Sequence, residues 1–270
     1  MNIIEKLMWA LEAEMVPPPA YGLFHIILIV VGLSACISLA WLCRRFDERK
    51  NKILILSFAG VLIASEVFKQ LFLFYVIEGG AVSWGEFPFQ MCSMPMYLCP
   101  LAVFTKNERL RRACYGFMMC FNLIGGLAGA FEPSGIFLDQ IPLTVHAILW
   151  HYSLVFLGFY IIFSHRSGRT RQDYFDVLKL FLILCYVAFF INILIGITTG
   201  ESVNMFFVGP NPSPLIVFNT IARRFGWTAC AMIYIPLTAS AAGVIWQIQS
   251  FFRTRNKTVA RAFPLKGIKG

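Results

Sequence analysis

The chain has 270 residues, of which 58% are hydrophobic and only 14% are charged, and its mean hydropathy is +0.70. Soluble domains carry about one quarter charged residues, so this composition excludes an ordinary soluble domain and predicts an all-α polytopic membrane protein. The formal net charge is +9, but the basic residues fall in short clusters between apolar runs. That distribution is typical of cytoplasmic loops, so we predict membrane lipids as partners and no binding to nucleic acid.

The N-terminal segment, residues 1–20, reads MNIIEKLMWALEAEMVPPPA. It is acidic and lacks the basic start and small-residue cleavage site that are expected of a signal peptide. Apolar residues recur in it at helical spacing, at Ile3, Ile4, Leu7, Met8 and Leu11. We therefore predict a short amphipathic helix that lies on the outer interface of the bilayer and ends at the three prolines.

Residues 21–252 form the predicted transmembrane domain, because they contain seven apolar runs close to the ~20 residues that cross a bilayer core. The runs lie near 21–43, 53–78, 88–105, 111–131, 145–164, 174–198 and 226–251. The third run is the shortest and is interrupted by prolines. The sequence thus predicts seven transmembrane helices.

The charge of the connecting segments alternates along the chain. RRFDERKNK, KNERLRR and HRSGRTRQD follow the first, third and fifth runs, and residues 253–270 form a basic tail. The other connections carry Glu78, Glu86, Glu132, Asp139 and Glu201, with Arg223 and Arg224 near the last span. Because basic loops stay in the cytoplasm, this order predicts an N-terminus outside and a C-terminus in the cytoplasm.

Several predicted spans contain polar residues, which are costly in a bilayer and usually face a cavity. They are Glu66, Lys69 and Gln70 in the second run, Gln90 and Cys92 in the third, Asn122 in the fourth, His146 and His151 in the fifth, and Asn192 in the sixth. The predicted topology places them in the middle and outer half of the bundle, which indicates a cavity open to the outer side. Glu66 and Lys69 are three residues apart and are expected to pair, with a purely structural ion pair as the alternative.

The third run opens with EFPFQMCSMPMYLCP, which combines two thiols, an amide and three prolines. We predict that Pro88 lies in the first helical turn, where a helix accepts proline. Pro95 and Pro100 are predicted to kink the helix and to free carbonyl groups towards the cavity.

Cys92 lies near the predicted start of that helix, where the helix dipole favours a thiolate. With His151 as a general base, Cys92 would be a nucleophile for acyl transfer, and simple packing is the alternative. His146 and His151 are about 140° apart around a helix, so we expect one of them to face Cys92. No C-x-x-C occurs and the histidines lack metal-ligand spacing, so we predict neither a metal site nor a cofactor.

Three stretches resemble those of a known family: FPFQMCSMPMYLCPLA (87–102), WHYSLVFLGFY (150–160) and NMFFVGPNPSPLIVFNTIARRFGW (204–227). Together they resemble the YwaF-like family of bacterial integral membrane proteins. Its broader group includes the vertebrate transmembrane acyltransferase associated with ether-phospholipid remodelling. The resemblance extends over about residues 20–250.

This resemblance implies a multi-pass protein of the bacterial plasma membrane. It also implies that the acyl-accepting cysteine of the family is Cys92 and that its histidine is His151. The chain departs from the family pattern at Gln90, where a histidine is common, and at Ser93, where an acidic residue is common. These two differences remove one base and one charge beside Cys92.

Three functions remain open on the sequence. The first is a lipid-active, cysteine-dependent acyltransferase that acts on glycerophospholipids from a cavity in the outer half of the bundle, with Gln90 or Asn204 as an oxyanion or headgroup contact. The second is a transporter or small-molecule receptor that uses the same cavity without catalysis. The third is a structural or assembly role. The predicted substrate-binding set is Gln90, Glu66, Lys69, Asn122, His146, Asn192 and Asn204, and no oligomeric state is predicted.

Overall fold

The computed structural model describes residues 2–210 and 216–262, with side chains for 2–210 and 217–251. The α-helices of this part are α1 (Ile3–Ala10), α2 (Leu23–Cys43), α3 (Glu48–Phe72), α4 (Pro95–Phe104), α5 (Glu108–Phe117), α6 (Leu123–Phe131), α7 (Ile141–Ser164), α8 (Arg171–Thr199), α9 (Ile216–Phe225) and α10 (Trp227–Ala262). A π-helical turn, Leu73–Ile77, prolongs α3, and a second one, Met118–Asn122, joins α5 to α6. Short 3-10 turns lie at Trp84–Glu86, Met91–Ser93, Pro133–Gly135 and Met205–Phe207.

Six helices of the described residues are long and apolar enough to cross a membrane, which supports a multi-pass membrane protein. They are Leu23–Cys43, Glu48–Ile77, Glu108–Phe131, Ile141–Ser164, Arg171–Thr199 and Trp227–Phe251. The last of them continues as α10 to Ala262, into the predicted basic tail, whose residues 263–270 lie outside the described part. Residues 211–215 of the third family-like stretch also lie outside it.

The third predicted span, 88–105, is instead the shorter apolar helix Met91–Phe104, which reaches about 20 Å at 1.5 Å per residue. That length is below the ~30 Å of a bilayer core, so a seventh transmembrane helix stays a prediction. The prediction that Pro88 opens the helix is wrong, because the backbone is extended at Phe87 and Gln90. Pro95 begins α4, which leaves Pro100 as the proline inside it.

The three basic loops of the sequence lie together at one end of the bundle, here called the basic end. Three ion pairs join them: Arg166–Glu48 at 2.7 Å, Arg112–Asp173 at 2.8 Å and Arg109–Asp176 at 2.8 Å. Each pair joins one largely covered side chain to a more exposed partner, and together the pairs show which helix ends are neighbours. The starts of α3, α5 and α8 and the end of α7 therefore share this end, and these helices run in alternating directions.

A buried hydrogen-bonded group links three helices between the two ends of the bundle. Asn51 of α3 donates to the Tyr115 hydroxyl of α5 at 3.0 Å and accepts from the Tyr160 hydroxyl of α7 at 2.8 Å. All three side chains are buried. Because each buried polar atom of this group has a partner, the group fixes the relative positions of the helices without an unpaired polar atom.

Helix α1 lies against the end of the bundle opposite the basic end. Met8 is buried among Phe72, Leu73 and Leu143, while Ile3 is 86% exposed. An isolated antiparallel bridge between Glu14 and Gln140 fixes the segment that follows the helix. The helix is thus attached to the bundle through one face, and its predicted place at the bilayer interface stays a prediction.

Glycines allow α6 and α7 to approach closely. At Gly158 of α7, a Cβ atom would lie 2.7 Å from Cβ of Leu123, which is closer than side chains pack. Gly60 of α3 is exposed, and a Cβ atom there would meet nothing within 4 Å. A side chain would therefore clash with a neighbour at Gly158 but not at Gly60, although both glycines lie within transmembrane helices.

We expect Gly158→Ala to destabilise the protein by about 1–3 kcal/mol, because a methyl group at this contact forces α6 and α7 apart. The melting temperature of the purified protein in detergent measures this effect. Gly60→Ala is the matched control and is expected to leave the melting temperature unchanged or slightly higher. Equal melting temperatures for the two variants would contradict this account of the helix contact.

Candidate functional site

The backbone before α4 is not helical, and its carbonyl groups are bound by side chains from other helices. Gln70 of α3 donates to the carbonyl oxygen of Glu86 at 2.7 Å. Asn122, at the end of the π-helical turn, donates to that of Met91 at 2.7 Å, and Trp150 of α7 donates to that of Cys92 at 3.3 Å. Two of these side chains, Asn122 and Trp150, thus hold the 3-10 turn that carries Cys92, and Gln70 holds the turn before it.

A second irregular segment, residues 203–209, packs against this turn. Gln90 donates to the carbonyl oxygen of Asn204 at 3.1 Å and accepts from the backbone N–H of Phe206 at 3.0 Å. Asn192 of α8 binds both backbone groups of Met205, and the Asn204 side chain accepts from the N–H of Gly209 at 2.7 Å. Side-chain amides therefore determine the path of this segment.

The segment contains two aromatic residues in an uncommon conformation. Phe206 and Phe207 both have φ = 56°, in the left-handed region that costs energy for residues other than glycine. Phe206 is fully buried. The amide contacts from Gln90 and Asn192 hold this conformation in place.

A cavity of about 520 Å³, here called the polar cavity, lies at the end of the bundle opposite the basic end. Among the residues that line it are six predicted site residues: Glu66, Lys69, Gln90, Cys92, His146 and His151. Asn122, Asn192 and Asn204 do not belong to this lining, since their amides bind backbone groups behind it. A contact of these three residues with substrate remains a prediction.

The charged side of the polar cavity is a small ionic network. Lys69 pairs with Glu66 at 3.0 Å, as expected from their spacing, and also with Glu86 at 3.3 Å. Gln70 donates to the Glu66 carboxylate at 2.8 Å. Glu66 is buried, so the cation and the amide supply the partners that a carboxylate needs inside a membrane protein.

Glu86 is a residue that the sequence did not single out for the site. It lies at the cavity end in the segment before α4 and is part of the cavity lining. Its place directly before the FPFQMC stretch is the available signal, whereas its charge indicates only a connecting segment.

Both histidines of α7 line the polar cavity, although we expected only one of them to face Cys92. His146 Nδ1 lies 2.8 Å from the Ser65 hydroxyl, and its ring lies 5.3 Å from that of Trp150. His151 Nδ1 lies 2.9 Å from the carbonyl oxygen of Ala147. A carbonyl oxygen can only accept, so Nδ1 carries the proton of the neutral ring and Nε2 is the basic atom.

The position of the His151 ring depends on Gly129 of α6. A Cβ atom at Gly129 would lie 2.6 Å from His151 Nε2, so the ring occupies space that another residue would fill. At Gly125, one turn earlier, a Cβ atom would meet only Met91 Cε at 3.6 Å. The observed position of the His151 ring therefore requires a glycine at residue 129.

A second cavity of about 360 Å³, here called the apolar groove, adjoins the polar cavity. The two share the residues Gln90, Cys92, Gly135 and His151. The remaining lining of the apolar groove is Met91, Ile124, Gly125, Ala128, Gly129, Glu132, Ser134, Phe207, Phe218, Tyr234, Leu237, Thr238 and Ala241. Cys92 and His151 thus lie where a charged cavity meets a largely apolar one.

Cys92 also differs from most other thiols of the chain in its accessibility. All eight cysteines lie in the described part, and six of them are buried. The two half-buried ones are Cys43, in the last turn of α2, and Cys92.

Among the described residues, no group of His, Cys, Asp and Glu has the arrangement of a metal site.

No curated protein and no solved structure matches the sequence. A family model does, and the match covers residues 20–252, which include both cavities and every predicted transmembrane segment. On that match the chain belongs to the TMEM164 family, a family of transmembrane proteins.

Proposed function

We propose that this protein is a membrane enzyme that transfers acyl chains between glycerophospholipids through a thioester on Cys92. The observation that carries the proposal is the placement of Cys92, a half-buried cysteine, and an imidazole in the lining of one cavity that also holds charged groups. Nucleophilic catalysis by cysteine requires a base, and His151 presents Nε2 as its basic atom. The broader acyltransferase group named by the sequence resemblance agrees with this chemistry.

In the first half-reaction, His151 Nε2 takes the proton of the Cys92 thiol, and the thiolate attacks the ester carbonyl carbon of a phospholipid. The tetrahedral intermediate breaks its bond to the glycerol oxygen. That oxygen takes the proton from the imidazolium and leaves as the hydroxyl group of a lysophospholipid. The acyl chain stays on Cys92 as a thioester.

In the second half-reaction, the hydroxyl group of another lysophospholipid gives its proton to His151 and attacks the thioester carbon. The carbon–sulfur bond breaks, the new ester forms, and the proton returns to the sulfur of Cys92. One ester is consumed and one is formed, so the exchange needs no oxidant or reductant. The network of Glu66, Lys69 and Glu86 binds the lipid headgroup, with Lys69 as the partner of the phosphate.

The proposal includes seven membrane crossings, with the N-terminus outside, in the plasma membrane of a bacterium. Support for the third crossing comes from its two ends. Glu86 contacts Lys69 near the end of α3, whereas the carbonyl of Thr105 accepts from Arg111 at the basic end. The polar cavity then opens to the outer leaflet, and α1 lies at the outer interface with its exposed apolar residues towards lipid.

A small-molecule receptor is the second candidate function. A separate crevice lies at the basic end, where Arg112, Arg166 and Asp173 are among its lining residues. It shares no lining residue with the polar cavity, and this separation favours the receptor. Fully buried residues of the π-helical turn, such as Met118 and Phe121, lie between the two ends. This separation suits a ligand site reached from one side better than it suits a transport path.

Cys92→Ser is expected to abolish acyl exchange, because an alcohol is a much weaker nucleophile than a thiol near neutral pH. The measurement is the turnover of labelled acyl chains between phospholipid and lysophospholipid in vesicles that contain the purified protein. Cys99→Ala is the control, since Cys99 is fully buried and lines neither cavity. Wild-type turnover in Cys92→Ser would end the enzyme proposal and leave the receptor.

His151→Ala is expected to reduce turnover by about 10²–10⁴-fold, the usual scale for the loss of a general base. Gly129→Ala should reduce it by at least about tenfold, because the added methyl group displaces the imidazole from its position. Gly60→Ala, at a helical glycine that lines neither cavity and has free space around it, should retain near-normal turnover. If both glycine variants behave alike, the position of the ring is not important for the reaction.

The proposed topology predicts which loop cysteines an impermeant thiol reagent labels in intact cells. A cysteine that replaces the exposed Asp139 should react from outside, whereas one that replaces the exposed Lys106 should react only after the membrane is opened. Both substitutions are made in a background without Cys43 and Cys92, the two cysteines that are not buried. The reverse labelling pattern would invert the topology and place the polar cavity on the cytoplasmic side.

A further inference from the structure

The apolar groove lies between α6 and α10, two helices that face the membrane. Ile124 and Ala128 lie along α6, and Glu132 follows its last residue, so this wall is about 12 Å long at 1.5 Å per residue. On the opposite wall, α10 contributes Tyr234 and Ala241. Helix α10 packs against the π-helical turn, whereas its contacts with α6 are few, so the groove opens where the two helices separate.

The residues on the open side of the groove are apolar and exposed. Leu237 is 54% exposed, and Ala128 and Ala241 are exposed as well. The neighbouring Ile233 and Val244 on α10 are also exposed, as expected for a surface that contacts lipid. In a bilayer, an exposed apolar surface of this kind is in contact with the hydrocarbon chains of the lipids.

The polarity of the groove changes along its length. Glu132 and Ser134 lie at its outer end, after the last turn of α6, whereas Ile124 and Ala241 lie deeper in the bundle. A membrane lipid has the same order, with its polar and ester groups outside and its chain inside. The groove reaches Cys92 and His151 at the boundary with the polar cavity.

We propose that the apolar groove binds one fatty acyl chain of a membrane lipid, which enters sideways from the leaflet between α6 and α10. The ester carbonyl then lies beside Cys92, and the headgroup lies in the polar cavity. Ala128 and Ala241 are the specificity-determining residues, because their small side chains on opposite walls leave the width that a chain occupies. The assignment of the ester to Cys92 rests on the acyl-transfer proposal, whereas the binding of the chain does not.

The first experiment tests chain binding without catalysis. The Cys92→Ala variant is placed in vesicles with a phospholipid that carries a photoreactive diazirine in one acyl chain, and cross-linked peptides are mapped by mass spectrometry. We expect the peptides that contain residues 124–132 and 234–241 to be labelled several times more strongly than the lipid-facing surface of α2. Ala241→Phe should remove this excess labelling, because the ring fills the groove.

Val244→Phe is the matched control, since it adds a ring to an exposed position of α10 that does not line the groove. Ala128→Phe fills the groove from the opposite wall and replaces Ala241→Phe if that variant does not fold. Both groove variants should remove the excess labelling, and Val244→Phe should keep it. Uniform labelling of all lipid-facing helices, or excess labelling that persists in both groove variants, would overturn the assignment.

The second experiment measures turnover of acyl donors with long and short chains in the otherwise wild-type protein. Ala241→Phe should lower the ratio of long-chain to short-chain turnover by about tenfold or more, a usual effect of filling part of an apolar pocket. Val244→Phe should leave the ratio unchanged, and an unchanged ratio in both groove variants would contradict the specificity assignment. If the groove is labelled but Cys92→Ser retains turnover, the chain site stands and the acyl-transfer proposal falls.

Discussion

The need to satisfy a non-helical backbone inside a helical membrane domain determines the arrangement of this site. The segment before α4 has an extended and 3-10 backbone, so its carbonyl groups lack partners within a helix. Gln70, Asn122 and Trp150 supply the missing hydrogen bonds from three other helices. Each of these bonds also fixes a distance between helices, and the space that remains beside the turn is the polar cavity.

This requirement separates the polar residues of the membrane domain into two groups. Asn122, Asn192 and Asn204 bind backbone groups behind the cavity, whereas Lys69 and His151 face it. The sequence predicts that both groups converge at one level, because a polar side chain within a span needs a protein environment in either case. The sequence does not distinguish the two groups of residues. The backbone groups that need hydrogen bonds from side chains can be identified only once the path of the chain is known.

The same limit explains which parts of the fold could be predicted. The runs 21–43 and 174–198 agree with Leu23–Cys43 and Arg171–Thr199, because long apolar segments need only hydropathy and length to be located. The third run differs, since hydropathy does not distinguish an extended apolar segment from a helix. The π-helical turn Met118–Asn122 and helix α9 were not predicted either, because a π-turn depends on packing and α9 is short and amphipathic.

The Asn122 side chain shows that the turn around Cys92 is held at a cost in stability. It is fully buried, and its Oδ1 atom has no hydrogen-bond partner, which costs about 1–3 kcal/mol. An apolar residue of similar size would avoid that cost but would remove the 2.7 Å hydrogen bond to the Met91 carbonyl, one residue before Cys92. The strained Phe206 and Phe207 conformations, held by Gln90, are a second cost, in the segment 203–209 that packs against this turn. Phe207 also lines the apolar groove, so Gln90 connects the position of Cys92 to the shape of the groove. Proteins tolerate such local costs mainly where function requires the geometry, and here one cost lies at the turn that carries the proposed nucleophile and the other lies in the segment packed against it.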